Sequence, residues 1–193
     1  GGCGPVVPHN SNGKCQCTGT FQCQPDHPHG VCVDSDNAPK NAKSLPKTDD
    51  AQGEKTLSGK LAVEDEDWFR VEVADTAGED LRPRYALETS QYNMMELCAY
   101  YRPDSGQVGR LCGTHGTHGR SESVTLAGKT YKGCCELVNT KPAPTGGGKA
   151  YRADVAHVVE QFGLSDYTGT VLMKASTRNS EQGCNDYTLT YEF

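Results

Sequence analysis

The sequence has few of the features that mark a membrane protein or a nucleic-acid-binding protein. Its longest aliphatic runs are three or four residues, far short of the roughly 20 that a membrane-spanning helix needs. Its 19 basic and 25 acidic residues give a net charge of −6, and no basic run exceeds two residues. Phosphate binding depends on clustered Lys and Arg. The composition therefore argues against a membrane span and against a nucleic-acid partner.

The sequence also lacks the short motifs of common enzyme classes. It has no G-x-S-x-G elbow and no H-E-x-x-H pair. The glycine run at 146–149 lacks both the Walker spacing and a Ser or Thr after its lysine. His115 and His118 are spaced for metal binding, but they belong to a Gly- and Thr-rich segment with no rigid element to fix them. We predict no catalytic residue and a non-enzymatic protein; the alternative is a metalloenzyme or protease fragment.

Cysteine, by contrast, is abundant. There are ten, an even number, beside 22 Gly and 10 Pro. Zinc ribbons use paired C-x2-C units, whereas this chain has Cys15-x-Cys17 and the adjacent Cys134 and Cys135. Disulfides contribute roughly 2–4 kcal/mol each in small domains and persist in oxidising compartments. We therefore predict an extracellular or bacterial cell-surface protein, in its processed form because no signal peptide is present. The predicted disulfide cysteines are Cys3, Cys15, Cys17, Cys23, Cys32, Cys98, Cys112, Cys134, Cys135 and Cys184.

The cysteines fall into two groups of five, separated by a polar stretch with two prolines between Asp34 and Lys55. We predict a Cys-rich N-terminal segment over 1–35, a linker over 36–54 that becomes ordered near residues 41–42, and a larger domain over 55–193. Each group is odd in number. If all ten cysteines are oxidised, at least one bridge must join the two groups or join two subunits.

From Lys55 onward the apolar residues alternate, which is the signature of half-buried strands. Phe69, Val71 and Val73 face one way, while Trp68 and its neighbours at 70 and 72 face the other. Similar alternation over 85–89, 95–101, 171–175 and 187–193, with one long or two short strands over 123–137, predicts an all-β, jelly-roll-like β-sandwich stapled by disulfides. The segment 152–163 suits either a helix ending at Gly163 or a strand in which Ala153, Val155, His157 and Val159 share a face.

The order of several motifs is similar to that of the bacterial pre-peptidase C-terminal (PPC) domain, over about residues 37–193. The motifs are Leu57-Ser58-Gly59-Lys60-Leu61, Asp65-Glu66-Asp67-Trp68-Phe69, Glu96-Leu97-Cys98-Ala99-Tyr100-Tyr101, Gly169-Thr170-Val171 and Asp186-Tyr187-Thr188-Leu189. The resemblance implies a β-sandwich module of secreted proteins that binds, spaces or solubilises without a catalytic centre. The extra cysteines resemble a variant found in secreted proteins of myxobacteria-like bacteria.

The acidic run at 64–67 can be read in two ways. A solvated turn before a strand is the interpretation that the pattern favours. The alternative is calcium, a hard cation that takes six to eight oxygen ligands and that some relatives of the resembled family hold near the linker. Asp36, Asp65 and Asp67, helped by Asn37 and by the pair at 49–50, would supply those oxygens if the linker folds back.

Two aromatic residues, Trp68 and Tyr100, are candidate binding residues, because exposed rings stack on sugars or insert into partners. The alternative is that these rings cap a small core. We predict a protein that acts in binding or in extracellular assembly, with itself, another extracellular protein or a polysaccharide as partner. The alternatives are a structural subunit of an extracellular filament or sheath, and a targeting module of a secreted peptidase. We predict no cofactor, with calcium as the alternative.

Overall fold

The computed structural model describes residues 20–24, 27–33, 38–61, 65–76, 81–90, 95–105, 120–142, 149–157, 167–177 and 185–193. Within these ranges the chain is β-structure apart from one short 3-10 turn, Pro39–Asn41. The strands are β1 (Thr20–Gln24), β2 (His27–Val33), β3 (Lys43–Ser44), β4 (Thr48–Asp49), β5 (Lys55–Leu61), β6 (Glu66–Ala74), β7 (Arg84–Thr89), β8 (Met95–Pro103), β9 (Arg120–Leu126), β10 (Lys129–Leu137), β11 (Asn139–Pro142), β12 (Lys149–Ala156), β13 (Gly169–Thr177) and β14 (Asn185–Glu192).

Two large sheets pack face to face. The seven-stranded sheet has the order β3-β6-β13-β8-β10-β9, with β4 also paired to β6. The five-stranded sheet has the order β11-β12-β7-β14-β5 and is antiparallel throughout. Strands β1 and β2 form a separate antiparallel pair. The predicted all-β sandwich is confirmed.

The core forms where the two sheets meet, because one side of each strand is apolar. Phe69, Val71 and Val73 of β6 lie in the same buried cluster as Leu87 of β7 and Leu189 of β14. Strand β13 is buried along its whole length, since it lies between β6 and β8 in the middle of the larger sheet. The alternation predicted for β6 is therefore confirmed, with Trp68 on the outward side.

The strand pairing bears on two other predictions. Residues 43–44 and 48–49, predicted as part of the linker over 36–54, pair in parallel with β6. The sandwich therefore begins before Lys55, and short polar segments without periodicity were sufficient to extend the sheet. Residues 152–156 belong to β12 rather than to a helix, since six of its residues pair with β7 and bury Ala153 and Val155 against the core. The continuation through Val159 to Gly163 lies outside the described residues.

The segment 123–137 forms two strands, joined by a tight turn. Leu126 pairs with Lys129 across it, and both Ala127 and Gly128 have positive φ, at 50° and 74°. This is the geometry of a two-residue type I′ turn, whose twist matches that of an antiparallel pair.

Candidate functional site

The outward side of the five-stranded sheet carries a concave polar surface. Its two central strands, β7 and β14, present small side chains there, including Ala86, Thr188 and Thr190, whereas the flanking strands carry Lys60 and Arg152. These small side chains lie between longer charged ones, among them Glu88 of β7 and Glu192 of β14, and leave a depression along the sheet. We call this surface the polar trough.

The trough contains two neighbouring cavities. The larger, of about 590 Å³, lies over β5, β14 and β7 and is lined by Ser58, Lys60, Glu88, Ser90, Asp186 and Thr188, with Gly59, Thr89 and Tyr187 beneath. The smaller, of about 260 Å³, lies over β14, β7 and β12 between Arg84, Arg152, Thr190 and Glu192. Cavities of several hundred cubic ångströms are typical of small-molecule sites.

The charged groups of the larger cavity, Lys60, Asp186 and Glu88, are already paired. Lys60 Nζ lies 2.7 Å from Asp186 Oδ1. Arg152 donates to Glu88 Oε1 at 2.8 Å and to Asp154 Oδ1 at 2.5 Å. Burial alone would lower the pKa of Arg152, but the hydrogen bonds and charges of Asp154 and Glu88 outweigh it and raise that pKa above its ordinary value. The larger cavity therefore offers donors and acceptors side by side, with its charged groups held in ion pairs.

The outward side of the seven-stranded sheet carries a second apolar cluster rather than an exposed platform. Trp68 is 4% exposed and Tyr100 is fully buried, together with Tyr131, Leu172 and the half-buried Ala42. Trp68 Nε1 donates to Glu66 Oε2 at 2.9 Å. Both rings point away from the sandwich as the alternation predicts, but their burial contradicts a role as exposed stacking surfaces.

Charged side chains border this aromatic cluster and centre on Glu122. Tyr100 OH donates to Glu122 Oε1 at 2.6 Å, Arg120 lies 2.6 Å from Glu122 Oε2, and Lys174 Nζ lies 3.6 Å from Glu122 Oε1. Burial raises the pKa of Tyr100, and the hydrogen bond to Glu122 raises it further. Burial would raise the pKa of Glu122, but Tyr100, Lys174 and Arg120 together lower it.

Beside this network, Cys98 and Cys135 form a disulfide between directly opposed residues of β8 and β10. Strands β8 and β10 approach each other closely here. A side chain at Gly133 would not fit, because its Cβ would lie 2.1 Å from the carbonyl oxygen of Ala99. Glu96 Oε1 lies 3.7 Å from Cys98 Sγ, and Glu122 Oε2 lies 3.6 Å from Cys135 Sγ. Because disulfide sulfurs carry no proton, these are contacts rather than hydrogen bonds.

The disulfide prediction is confirmed for Cys98, Cys134 and Cys135, all of which are bonded. The side chains of the other predicted cysteines lie outside the described part of the chain, as does the sulfur that bonds Cys134. They are Cys3, Cys15, Cys17, Cys23, Cys32, Cys112 and Cys184.

Two of the predicted calcium residues, Asp65 and Asp67, lie in the described part of the chain. Asp65 and Asp67 are buried, at 4% and 9% exposure. Asp65 Oδ1 accepts a hydrogen bond from the Glu66 amide, while Asp67 Oδ2 accepts one from Tyr187 OH across the sandwich. Among described residues, the one group with three metal-ligating side chains is Glu96, Cys98 and Cys135. Asp36 lies outside the described residues, and calcium stays a prediction.

Sequence reasoning missed the trough, although the strands that build it were predicted. Ser58 and Lys60, like Thr188 and Thr190, occupy the outward positions of alternating segments. The alternation is a signal that identifies them as surface residues. It cannot show that β5, β14, β7 and β12 are neighbours, because that order comes from pairing between segments far apart in the chain.

No protein-family model matches the chain, and no curated protein matches it. Two solved structures are similar at a distance. One is PliG of Aeromonas hydrophila, a periplasmic inhibitor of g-type lysozyme, with 8% identity and a TM-score of 0.31, covering 78% of this chain and 97% of that one. The other is CorA, a surface-associated copper-binding protein of Methylomicrobium album BG8, with 8% identity and a TM-score of 0.36, covering 79% and 99%. Similarities this remote do not bear on the function of this chain.

Proposed function

We propose that this chain is a secreted or cell-surface bacterial β-sandwich module without catalytic activity, and that it binds a neutral, hydroxyl-rich polymer such as a polysaccharide in the polar trough. The observation that carries the proposal is the 590 Å³ cavity lined by Ser58, Lys60, Glu88, Asp186 and Thr188. The Cys98–Cys135 bridge supports an oxidising location. The described residues contain no helix long and apolar enough to cross a membrane.

The choice of a neutral ligand follows from the pairing of charges. An ionic ligand would have to break the Lys60–Asp186 or Arg152–Glu88 contact to find a counter-charge. A sugar hydroxyl both donates and accepts, so it can bond to either member of a pair while the pair stays intact. The side chains of Ser58 and Thr188 add hydroxyl groups at the same surface. Binding of this kind depends weakly on salt, unlike binding to a charged polymer.

The likeness to the PPC domain remains part of the proposal. What supports it is that the quoted motifs, apart from Asp65 at the start of one of them, fall in β5, β6, β8, β13 and β14, which belong to the two sheets that pack together. As the resemblance implies, the module would serve as a targeting part of a secreted peptidase or stand on the cell surface.

A second candidate function, extracellular assembly into a filament or sheath, rests on the edge strand β5. This seven-residue strand pairs with β14, and no strand in the described ranges pairs with its other side. Exposed edges accept further strands through backbone hydrogen bonds. Electron microscopy and sedimentation of the purified protein distinguish the two functions, because assembly gives ordered fibres. A proline within β5, such as Ser58→Pro, should block the formation of these fibres.

The trough is tested by cosedimentation with insoluble cellulose, chitin and peptidoglycan. Thr188→Trp places a large side chain in the cavity, and Thr125→Trp makes the same change at an exposed position of β9 on the other sheet. We expect at least one polysaccharide to retain the wild-type protein. Thr188→Trp should weaken that binding by ~10-fold or more, which corresponds to about 1.4 kcal/mol. Thr125→Trp should leave it unchanged. Equal binding by both variants, or no retention on any of the three polymers, contradicts the proposal.

A further inference from the structure

Three potential metal ligands meet on the outward side of the seven-stranded sheet. Glu96 and Cys98 lie two residues apart on β8 and so share a face, and Cys135 lies opposite Cys98 on β10. A carboxylate oxygen of Glu96 and the two sulfurs all lie within 4.8 Å of one another. All three side chains are buried, at 4%, 0% and 2% exposure.

We propose that this cluster is a redox-gated zinc site, closed while Cys98 and Cys135 form a disulfide and able to bind Zn²⁺ once that bond is reduced. Sulfurs joined to each other are poor ligands, whereas thiolates and carboxylate oxygens are both zinc ligands, and three protein ligands leave the fourth tetrahedral position for water. The site is separate from the polar trough, and the inference does not depend on the proposed function.

The chemistry balances with an external reductant. A phosphine and water reduce the disulfide to two thiols, and the phosphine becomes a phosphine oxide. One Zn²⁺ then replaces the two thiol protons, which are released to solvent. The net charge of the cluster is the same with two thiols as with two thiolates and one Zn²⁺.

This constancy of charge matters because the charged side chains around the cluster already form ion pairs with one another. Arg120 lies 3.1 Å from Glu96 Oε1 and 2.6 Å from Glu122 Oε2, and Lys174 lies 3.6 Å from Glu122 Oε1. Zinc bound by two thiolates leaves these ion pairs with the charges they have now. Arg120 has a half-exposed side chain, so it can turn toward solvent when the Glu96 oxygen is shared with the metal.

The test uses the full chain. The protein is reduced with a phosphine under anaerobic conditions, the reductant is removed, and the protein is titrated with Co²⁺. The thiolate-to-Co²⁺ charge-transfer absorption reports sulfur ligation. Other cysteines are reduced as well, so the measured quantity is the difference between wild type and Cys98→Ser/Cys135→Ser. We expect wild type to bind one equivalent more, with a thiolate band that Zn²⁺ abolishes. Without reductant this additional equivalent should be absent.

Glu96→Gln tests the carboxylate, with Glu72→Gln as its control. Glu72 is on the same outward side of the sheet but on β6, paired with Arg70 at 2.6 Å. We expect Glu96→Gln to weaken the additional Co²⁺ site by at least ~10-fold, since even outer-shell partners of a metal have effects of that size, and Glu72→Gln to leave it unchanged. Equal Co²⁺ binding by wild type and the double serine variant overturns the proposal. So does a reduced wild type whose β-sheet circular dichroism is lost and not restored by metal.

Discussion

The ring of Trp68 stacks on the ring of Tyr100, with centroids 5.7 Å apart and planes 17° apart. The two residues come from β6 and β8, which are separated in the sheet by β13. Lys174 of β13 places its ammonium 5.5 Å from the centre of the Trp68 ring. The outward side of the larger sheet is thus bound together by aromatic and charged contacts across three strands, in addition to the core between the sheets.

The first prediction concerns this outward cluster. Trp68→Ala should lower the free energy of unfolding by about 3–5 kcal/mol, because it removes a large buried ring and leaves a cavity. Tyr100→Phe keeps the ring and loses only the hydroxyl that donates to Glu122, so it should cost about 1–2 kcal/mol. Urea denaturation with circular dichroism measures both. Similar, near-zero losses would show that the cluster adds nothing to the stability of the sandwich.

The second prediction concerns pH. His157 lies among the aromatic rings of the core, where burial lowers its pKa from 6.5 to about 4 although a hydrogen bond to Ala99 O opposes that shift. Its Nε2 donates to Ala99 O at 3.0 Å, and Tyr85 OH lies 3.3 Å from Nδ1. Between about pH 6.5 and pH 4, His157 is therefore protonated in the unfolded chain and neutral in the folded chain. Stability from this group is complete above pH 6.5 and is lost as pH falls through that window, by about 3 kcal/mol.

Carboxylates also titrate in that range, so the measurement is a difference between two proteins. His157→Gln keeps a donor for Ala99 O but cannot take up a proton. Urea unfolding at several pH values should show that wild type loses stability more steeply than His157→Gln below pH 6.5, with parallel behaviour above it. Parallel curves at every pH would mean that folding does not lower the pKa of His157.

Much of the fold could be predicted from the sequence because the sandwich is built from amphipathic strands. Alternation predicted β6, β8, β13 and β14. Short pieces escaped prediction: β3 and β4 are two residues each and are defined only by their pairing with β6.

The trough could not be predicted, and the burial of Trp68 and Tyr100 was one of two open alternatives, for a shared reason. Which side of a strand is outward can be read from alternation, but whether an outward side is covered cannot. Trp68 occupies an outward position and is buried, whereas Lys60 occupies one and is half-exposed. The residues that flank Trp68 and Lys60 in the sequence are equally compatible with a buried and with an exposed outward position.

The third prediction concerns the turn between β9 and β10. Ala127 has a φ of 50°, a left-handed conformation that costs an ordinary residue about 1 kcal/mol but that asparagine tolerates. Ala127→Asn creates the Asn-Gly pair preferred in type I′ turns and should raise the free energy of unfolding by about 0.5–1 kcal/mol. Gly128→Ala is the opposite change at the neighbouring position, where φ is 74°. It should lower stability, and the pair of variants can be compared by thermal melting.

The last prediction concerns Glu122 and Lys174, whose charged atoms lie 3.6 Å apart. Glu122→Ala removes a partner of a mostly buried ammonium, because the side chain of Lys174 is only 11% exposed. Leaving that charge without its carboxylate should cost about 2 kcal/mol. Lys174→Met keeps an unbranched chain against Trp68 without a charge, so in the double variant Glu122→Ala should be less harmful than in wild type.

A double-mutant cycle by urea denaturation measures this coupling, and we expect an interaction of about 1 kcal/mol or more between the two positions. The same Glu122→Ala change made with Lys132→Met is the control, since Lys132 is an exposed lysine of β10. Additive losses in both pairs would mean that Arg120 alone offsets Glu122. Coupling confined to the Lys174 pair would mean that Glu122 stabilises the mostly buried ammonium of Lys174, and that the outward side of this sheet depends on a charge kept away from water.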